Sequence, residues 1–243
     1  MSTMTIVQLY PDELGVAGDA GNVLALATRA RRAGIEADVV LHRVGDQLPD
    51  SADVVVVGNG PLSAVRKVHT DLLAIAPKLR EWVGSGVQVF AYGAGAELLG
   101  TAITVGDETI EGLGIFPLSA RRGATRVVGY ILTTSVHGPL VGFEDHASEW
   151  KLAAGAKPFG SVSAGGGNGD GTEGVVVGTA IATQVGGPVL PLNPALTDAI
   201  LSAALQRRGV DYALTDLHAP LDHYAREGRA VISKHAEHYF KRI

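Results

Sequence analysis

Apolar residues along this chain fall alternately into short runs of strand length and longer stretches with helical spacing. The short runs are residues 6–10, 37–40, 53–58 and 87–92, and Val54, Val55, Val56 and Val57 form an unbroken β-branched segment. A run with no polar alternation predicts a strand covered on both faces, as in a parallel sheet between helical layers. Residues 21–34 place Val23, Leu24, Leu26 and Ala27 at helical spacing and stop at a glycine, and residues 64–83 predict a second, longer helix. Strand, helix and strand alternate in this way through the first hundred residues. That order predicts a three-layer, doubly wound α/β fold with a mostly parallel sheet and right-handed crossovers.

From Gly112 the pattern changes. Shorter extended pieces at 126–133, 160–162 and 174–179, separated by turn residues, predict an added antiparallel or mixed sheet. Asn193 and Pro194 open a last clear helix over 195–207, proline being suited to a first helical position. Beyond Gly209 the chain is polar and weakly amphipathic. The expected organisation is one domain over 1–208, with 209–243 a helical extension of the same unit. The glycine-rich stretch 163–174 is too short to separate domains.

Composition narrows the possible functions. Hydrophobic residues make up 46% and charged residues 19%, which suits a globular core. A formal charge of -5 leaves no basic footprint for nucleic acid. No window approaches the roughly 18 apolar residues of a membrane helix, and residues 1–10 carry no basic leader pattern, so a cytoplasmic location without membrane insertion is expected. Cysteine is absent, which excludes disulfides, thiolate metal sites and a cysteine nucleophile. His218, His223, His235 and His238 crowd the tail, and His235 and His238 would share a helical face, but no carboxylate spacing completes a zinc set. Neither a metal nor a cofactor is expected. The run Gly165 to Gly171 lacks the Gly-Lys-Ser/Thr ending of a nucleotide loop and reads as tight turns.

Reactive groups of open α/β sheets gather at the carboxyl ends of the strands. The sharpest such place is the segment Val89-Phe90-Ala91-Tyr92-Gly93-Ala94-Gly95-Ala96-Glu97-Leu98-Leu99-Gly100, where a strand meets a helix through a glycine-flanked turn. That is the layout of a nucleophile elbow, and its apex, Gly93, has no side chain. Ser163 is the one alternative nucleophile in a glycine-rich setting. It lacks the G-x-S-x-G context and reads as a turn residue.

The elbow segment resembles class I glutamine amidotransferases of the cobyric acid synthase (CobB/CobQ) type, and among them the glutaminase subunits of lipid II isoglutaminyl synthases. Other stretches agree in order: Leu9-Tyr10-Pro11-Asp12 with Gly18-Asp19-Ala20-Gly21-Asn22, Gly58-Asn59-Gly60, Gly112-Leu113-Gly114-Ile115, Gly142-Phe143-Glu144-Asp145-His146, Gly167-Asn168-Gly169 with Thr172-Glu173-Gly174, and residues 187–194. The resemblance spans roughly residues 5–205. It implies a catalytic cysteine where this chain has Gly93 and a histidine where it has Gly186. A glutaminase needs a thiolate to attack the amide carbon and an imidazole to move the proton. The resemblance therefore predicts a chain that does not hydrolyse glutamine. It further implies that Gly60 and Ala94 supply oxyanion-type backbone amides, and that Arg126 matches a residue gripping the substrate carboxylate. A solvated strand-edge charge is the other reading of Arg126. His146 is expected to make structural hydrogen bonds near the old pocket.

Three functions follow: a non-catalytic subunit or paralogue beside a Mur-ligase-like partner in peptidoglycan amidation, a binder or sensor of glutamine or a related small molecule, or an enzyme of changed chemistry recruiting Glu144, His146 or Ser163.

Overall fold

The computed structural model describes residues 3–236 and 241–243. Two sheets organise it. The first runs in the order β11-β12-β4-β3-β1-β2, where β1 is Met4–Leu9, β2 Ala37–His42, β3 Val54–Val57, β4 Gln88–Tyr92, β11 Val175–Val177 and β12 Ala180–Thr183. Every neighbouring pair is parallel except β11 with β12. The all-valine β3 is buried along its whole length, as its unbroken apolar run requires.

Helices cover both faces. α2 (Leu62–Gly84) packs Val65, Val68, Leu72, Leu79 and Trp82 against Val7, Leu9, Val55 and Val89. On the opposite face α1 (Ala20–Arg32) and α5 (Pro194–Gln206) pack Val23, Leu26, Ile200 and Leu201 against Ile6, Val54, Val56 and Phe90. Alternate side chains of one strand therefore serve two separate cores, which is the three-layer arrangement the sequence predicts.

The second sheet is built on a long antiparallel hairpin, β7 (Leu118–Ser135) with β8 (Gly138–Leu152). Their register shifts between Arg122 and Val127. β5 (Ala102–Val105), β6 (Glu108–Glu111), β9 (Gly160–Ala164) and β10 (Thr172–Glu173) complete it around β7. One expectation is corrected here: Val175–Val177 joins the edge of the first sheet, because its ladder is with β12 and not with β9 or β10.

The tail is helical over α6 (Ala219–His235), and the chain ends in a short strand, β13 (Lys241–Arg242), antiparallel to β7. The expected helical extension over 209–243 thus carries a short strand beside its helix. His238 lies outside the described residues. Among them, no helix is long and apolar enough to cross a membrane, and no group of three or more His, Asp or Glu side chains converges as a metal site.

Candidate functional site

β4 ends at Tyr92, and α3 (Ala94–Leu99) begins two residues later. Between them Gly93 sits at φ 52°, ψ -121°, a conformation that strains any side chain. The turn is pinned on two sides. Gly93 N–H donates to Thr183 O at 3.1 Å, and Gly95 N–H donates to Gly58 O at 3.0 Å. Glycine at 95 is obligatory for this packing, since a Cβ there would lie 2.6 Å from both Gly58 O and Val57 Cγ1. The loop after β3 thus rests directly on the elbow.

Two side chains fill the space beside the two glycines. A Cβ on Gly93 would lie 2.5 Å from Asn59 Oδ1, and the same oxygen accepts the Ala94 N–H at 2.9 Å. A Cβ on Gly186 would lie 2.1 Å from Tyr92 Cζ and 2.4 Å from its hydroxyl oxygen. Tyr92 is only 4% exposed, so its ring is held where a side chain at 186 would have to be. Burial and the nearby carboxylates Asp19, Asp145 and Glu144 push the Tyr92 phenol well above its ordinary pKa, so it stays protonated at neutral pH.

Asp19 closes the floor. It is fully buried, its Oδ2 accepts Ala17 N–H at 3.2 Å, and its Oδ1 has no partner among the described residues. Burial pushes its carboxyl up to about 6, against the opposing effect of backbone N–H groups that include that of Asn59. Behind the elbow, Glu173 is also fully buried and accepts Gln184 N–H at 2.7 Å and the Thr183 hydroxyl at 2.9 Å. It thereby holds the strand-to-loop segment that leads into Gly186. Desolvation pushes its carboxyl up to about 7.

The other predicted site residues lie near enough for Glu144, Asp145 and Arg126 to act on the Tyr92 phenol, but each has partners of its own. Gly60 lies on the turn after β3, tight under Glu13 O and the Leu14 side chain. Arg126 is half exposed and its Nε donates to Asp145 Oδ1, while its backbone pairs with Ile243. His146 does not face the elbow with a free nitrogen: Nδ1 meets Ser148 O at 2.9 Å and Nε2 meets Glu144 Oε2 at 3.1 Å. Glu144, fully buried, also accepts the N–H groups of Gly166 at 2.6 Å and Gly167 at 3.1 Å. The Ser163 hydroxyl donates to Leu132 O at 3.1 Å. Glu144 and His146 therefore brace the glycine-rich loop. Asn59 and Tyr92, which decide what room remains at the elbow, were not singled out from sequence. The bulky Tyr92 directly before the apex was the available signal.

The structure thus has a glycine-flanked elbow at the end of a central parallel strand with the third-strand loop against it, the layout the resemblance predicts. The model of the CobB/CobQ-like glutamine amidotransferase domain matches residues 5–193. The chain belongs to this family. The curated subunit GatD of the glutamine-hydrolyzing lipid II isoglutaminyl synthase from Staphylococcus aureus (strain N315) is 30% identical over 217 residues, covering 87% of this chain and 88% of that protein. Among solved structures, a glutamine amidotransferase superposes with a TM-score of 0.58 at 20% identity, covering 82% of this chain and 98% of that one. Another, from Thermotoga maritima, gives 0.54 at 14% identity, covering 96% and 94%. These two likenesses support the α/β fold.

Proposed function

We propose that this CobB/CobQ-like protein is a non-catalytic relative of the lipid II isoglutaminyl synthase glutaminase, acting in peptidoglycan amidation beside a Mur-ligase-like subunit. One observation carries the reading. The two positions that the resemblance assigns to the nucleophile and its base are glycines, and Asn59 and Tyr92 occupy the volume beside them. Without a thiolate no acyl intermediate forms, and residual polarisation by backbone amides offers nothing to accelerate. The 30% identity to the GatD subunit over most of both chains supports the pathway and the kind of partner.

The sensor reading is weaker on the same geometry, because the Ala94 N–H that would meet a ligand carbonyl is already bonded to Asn59. The changed-chemistry reading would recruit Glu144, His146 or Ser163, and each is already engaged: both His146 nitrogens face acceptors, Glu144 accepts the Gly166 and Gly167 N–H groups, and the Ser163 hydroxyl donates to Leu132 O.

The test is to incubate the purified protein with glutamine and measure ammonia, then to pull the tagged protein from its own host's lysate. The expected result is no ammonia above the buffer rate and co-purification of a Mur-ligase-like protein. Ammonia release at a rate typical of glutaminases would overturn the loss of chemistry. Recovery of the protein alone would overturn the partnership.

A further inference from the structure

A cavity of about 720 Å³ lies on the second sheet, walled by β7 and β8, the loop after β9, and the C-terminal strand. Arg121 from β7, Lys151 from β8 and Arg242 from β13 line it, together with the hydroxyl residues Ser119, Thr125 and Ser148. We propose that this cavity binds a small polyanion, a molecule bearing two or more phosphate or carboxylate groups. Nothing in this proposal depends on the elbow or on the fate of glutamine chemistry.

Charge is the first ground. The protein carries a formal charge of -5, and half of its arginines have carboxylate partners, including the exposed Arg43 with Asp12 and Arg66 with Glu108. Among the described residues, Arg121, Lys151 and Arg242 form no ion pair, yet they converge on one cavity from three strands. Two carboxylates also line it, Glu149 and Asp170. Asp170 is already engaged by the N–H and hydroxyl of Thr172. Hydrogen bonds from Arg and Lys to phosphate or carboxylate are among the strong ones.

Spacing is the second. Lys151 lies opposite Ser119 in the ladder and Arg121 opposite Glu149, which places two cations near one end. Arg242 lies opposite Val127, beyond the register shift, at the other. A ligand that meets all three is extended and carries charge at both ends. The volume suits a small molecule, for which pockets of roughly 300–1,000 Å³ are usual.

The third ground is rigidity. The far wall contains Gly166, Gly167, Asn168 and Gly169, and Glu144 holds the first two by their N–H groups while His146, itself lining the cavity, bonds Glu144. Asn168 is tied to Thr172 and Gly174. A wall fixed in advance spares the ligand the cost of ordering it.

The experiment is calorimetric titration of the full chain with linear inorganic tripolyphosphate and, separately, with the dicarboxylate suberate, each carrying charge at both ends. Saturable one-site heat with either supports the proposal, and which probe binds tells phosphate from carboxylate chemistry. Each of Arg121→Ala, Lys151→Ala and Arg242→Ala should weaken binding by about tenfold or more, the loss expected for one charge-assisted hydrogen bond. The control Arg43→Ala should bind like the parent. All four positions are exposed, so circular dichroism and melting should match the parent. No heat from either probe at millimolar concentration, or binding undiminished in all three cavity variants, would overturn the assignment.

Discussion

Tyr92 and Gly186 behave as one unit, because the tyrosine ring stands where a side chain on 186 would begin. Placing histidine at 186 forces a Cβ to within 2.1 Å of a buried ring carbon. Overpacking of this kind typically costs about 1–3 kcal/mol. Gly186→His should therefore destabilise the protein by at least that amount, and Tyr92→Ala in the same chain should recover part of the loss by opening the space. Urea denaturation of the two single variants and the double variant measures the coupling, and strictly additive effects would contradict the shared volume. At Gly93 the obstacle is softer, since it is the tip of the Asn59 side chain. Gly93→Cys should rotate Asn59 away and free the Ala94 N–H, leaving the strain of φ 52°, about 1–3 kcal/mol for a non-glycine residue, as its main cost. Restoring a thiol and an imidazole alone leaves Tyr92 in the way, so a return of glutaminase activity requires the third change.

The elements of the first sheet were legible because their environment is uniform along each strand: β3 is apolar on both faces, and the run 54–57 admits little else. The second sheet was not. β7 carries Arg121, Arg122 and Arg126 and a register shift within one strand, so its apolar alternation breaks and only 126–133 stood out. At the elbow the backbone layout was readable from glycine spacing, whereas Asn59 and Tyr92 acquire their roles only through contacts with residues 34 and 94 positions away. The anchoring of α6 was equally hidden. Arg29, 3% exposed, donates through Nε and Nη2 to Asp198 on α5 and through Nη1 to Asp222 on α6. One buried guanidinium thus clamps three helices. Its removal leaves Asp198 with only the Tyr212 hydroxyl and Asp222 without its cation, and because both carboxylates reach water the cost is about 1–3 kcal/mol, below that of a fully buried pair. Arg29→Ala should lower the urea midpoint accordingly and speed hydrogen exchange across residues 219–235. Arg29→Lys should rescue only part, because an ammonium cannot reproduce the fork. Exchange in α6 as slow as in the parent would remove the clamp from the account.

Across the whole molecule, the buried carboxyls Glu173 and Asp19 set the dependence of stability on pH. Burial raises Glu173 to about 7 and Asp19 to about 6, so the folded protein keeps protons that the unfolded chain releases near pH 4. Between those values the native state binds more protons than the unfolded state. Stability is thus fully present below the unfolded carboxylate range and is lost as pH rises through 6 and 7. Asp71 and Asp170, whose pKa values are lowered in the folded protein, act in the opposite sense and lose their contribution only in stronger acid. The protein should accordingly be more resistant to urea near pH 5 than at pH 8. Glu173→Gln isolates the larger share. Glutamine keeps an acceptor for the Thr183 hydroxyl and Gln184 N–H, and it has no charge to bury. At pH 8 this variant should be more stable than the parent by on the order of 2 kcal/mol, and near pH 5 the two should converge. Ionisation strengthens the bonds that Thr183 and Gln184 donate to Glu173 while leaving a charge in a desolvated site, so its cost falls on the fold as a whole and not on the back of the elbow. Exchange of the slowest core amides, which open only on global unfolding, should then rise with pH beyond the intrinsic base-catalysed trend in the parent, and follow that trend more closely in the variant. A parent whose urea midpoint is flat from pH 5 to 8 would mean that water or rearrangement solvates Glu173, and its burial would then carry no proton-dependent cost.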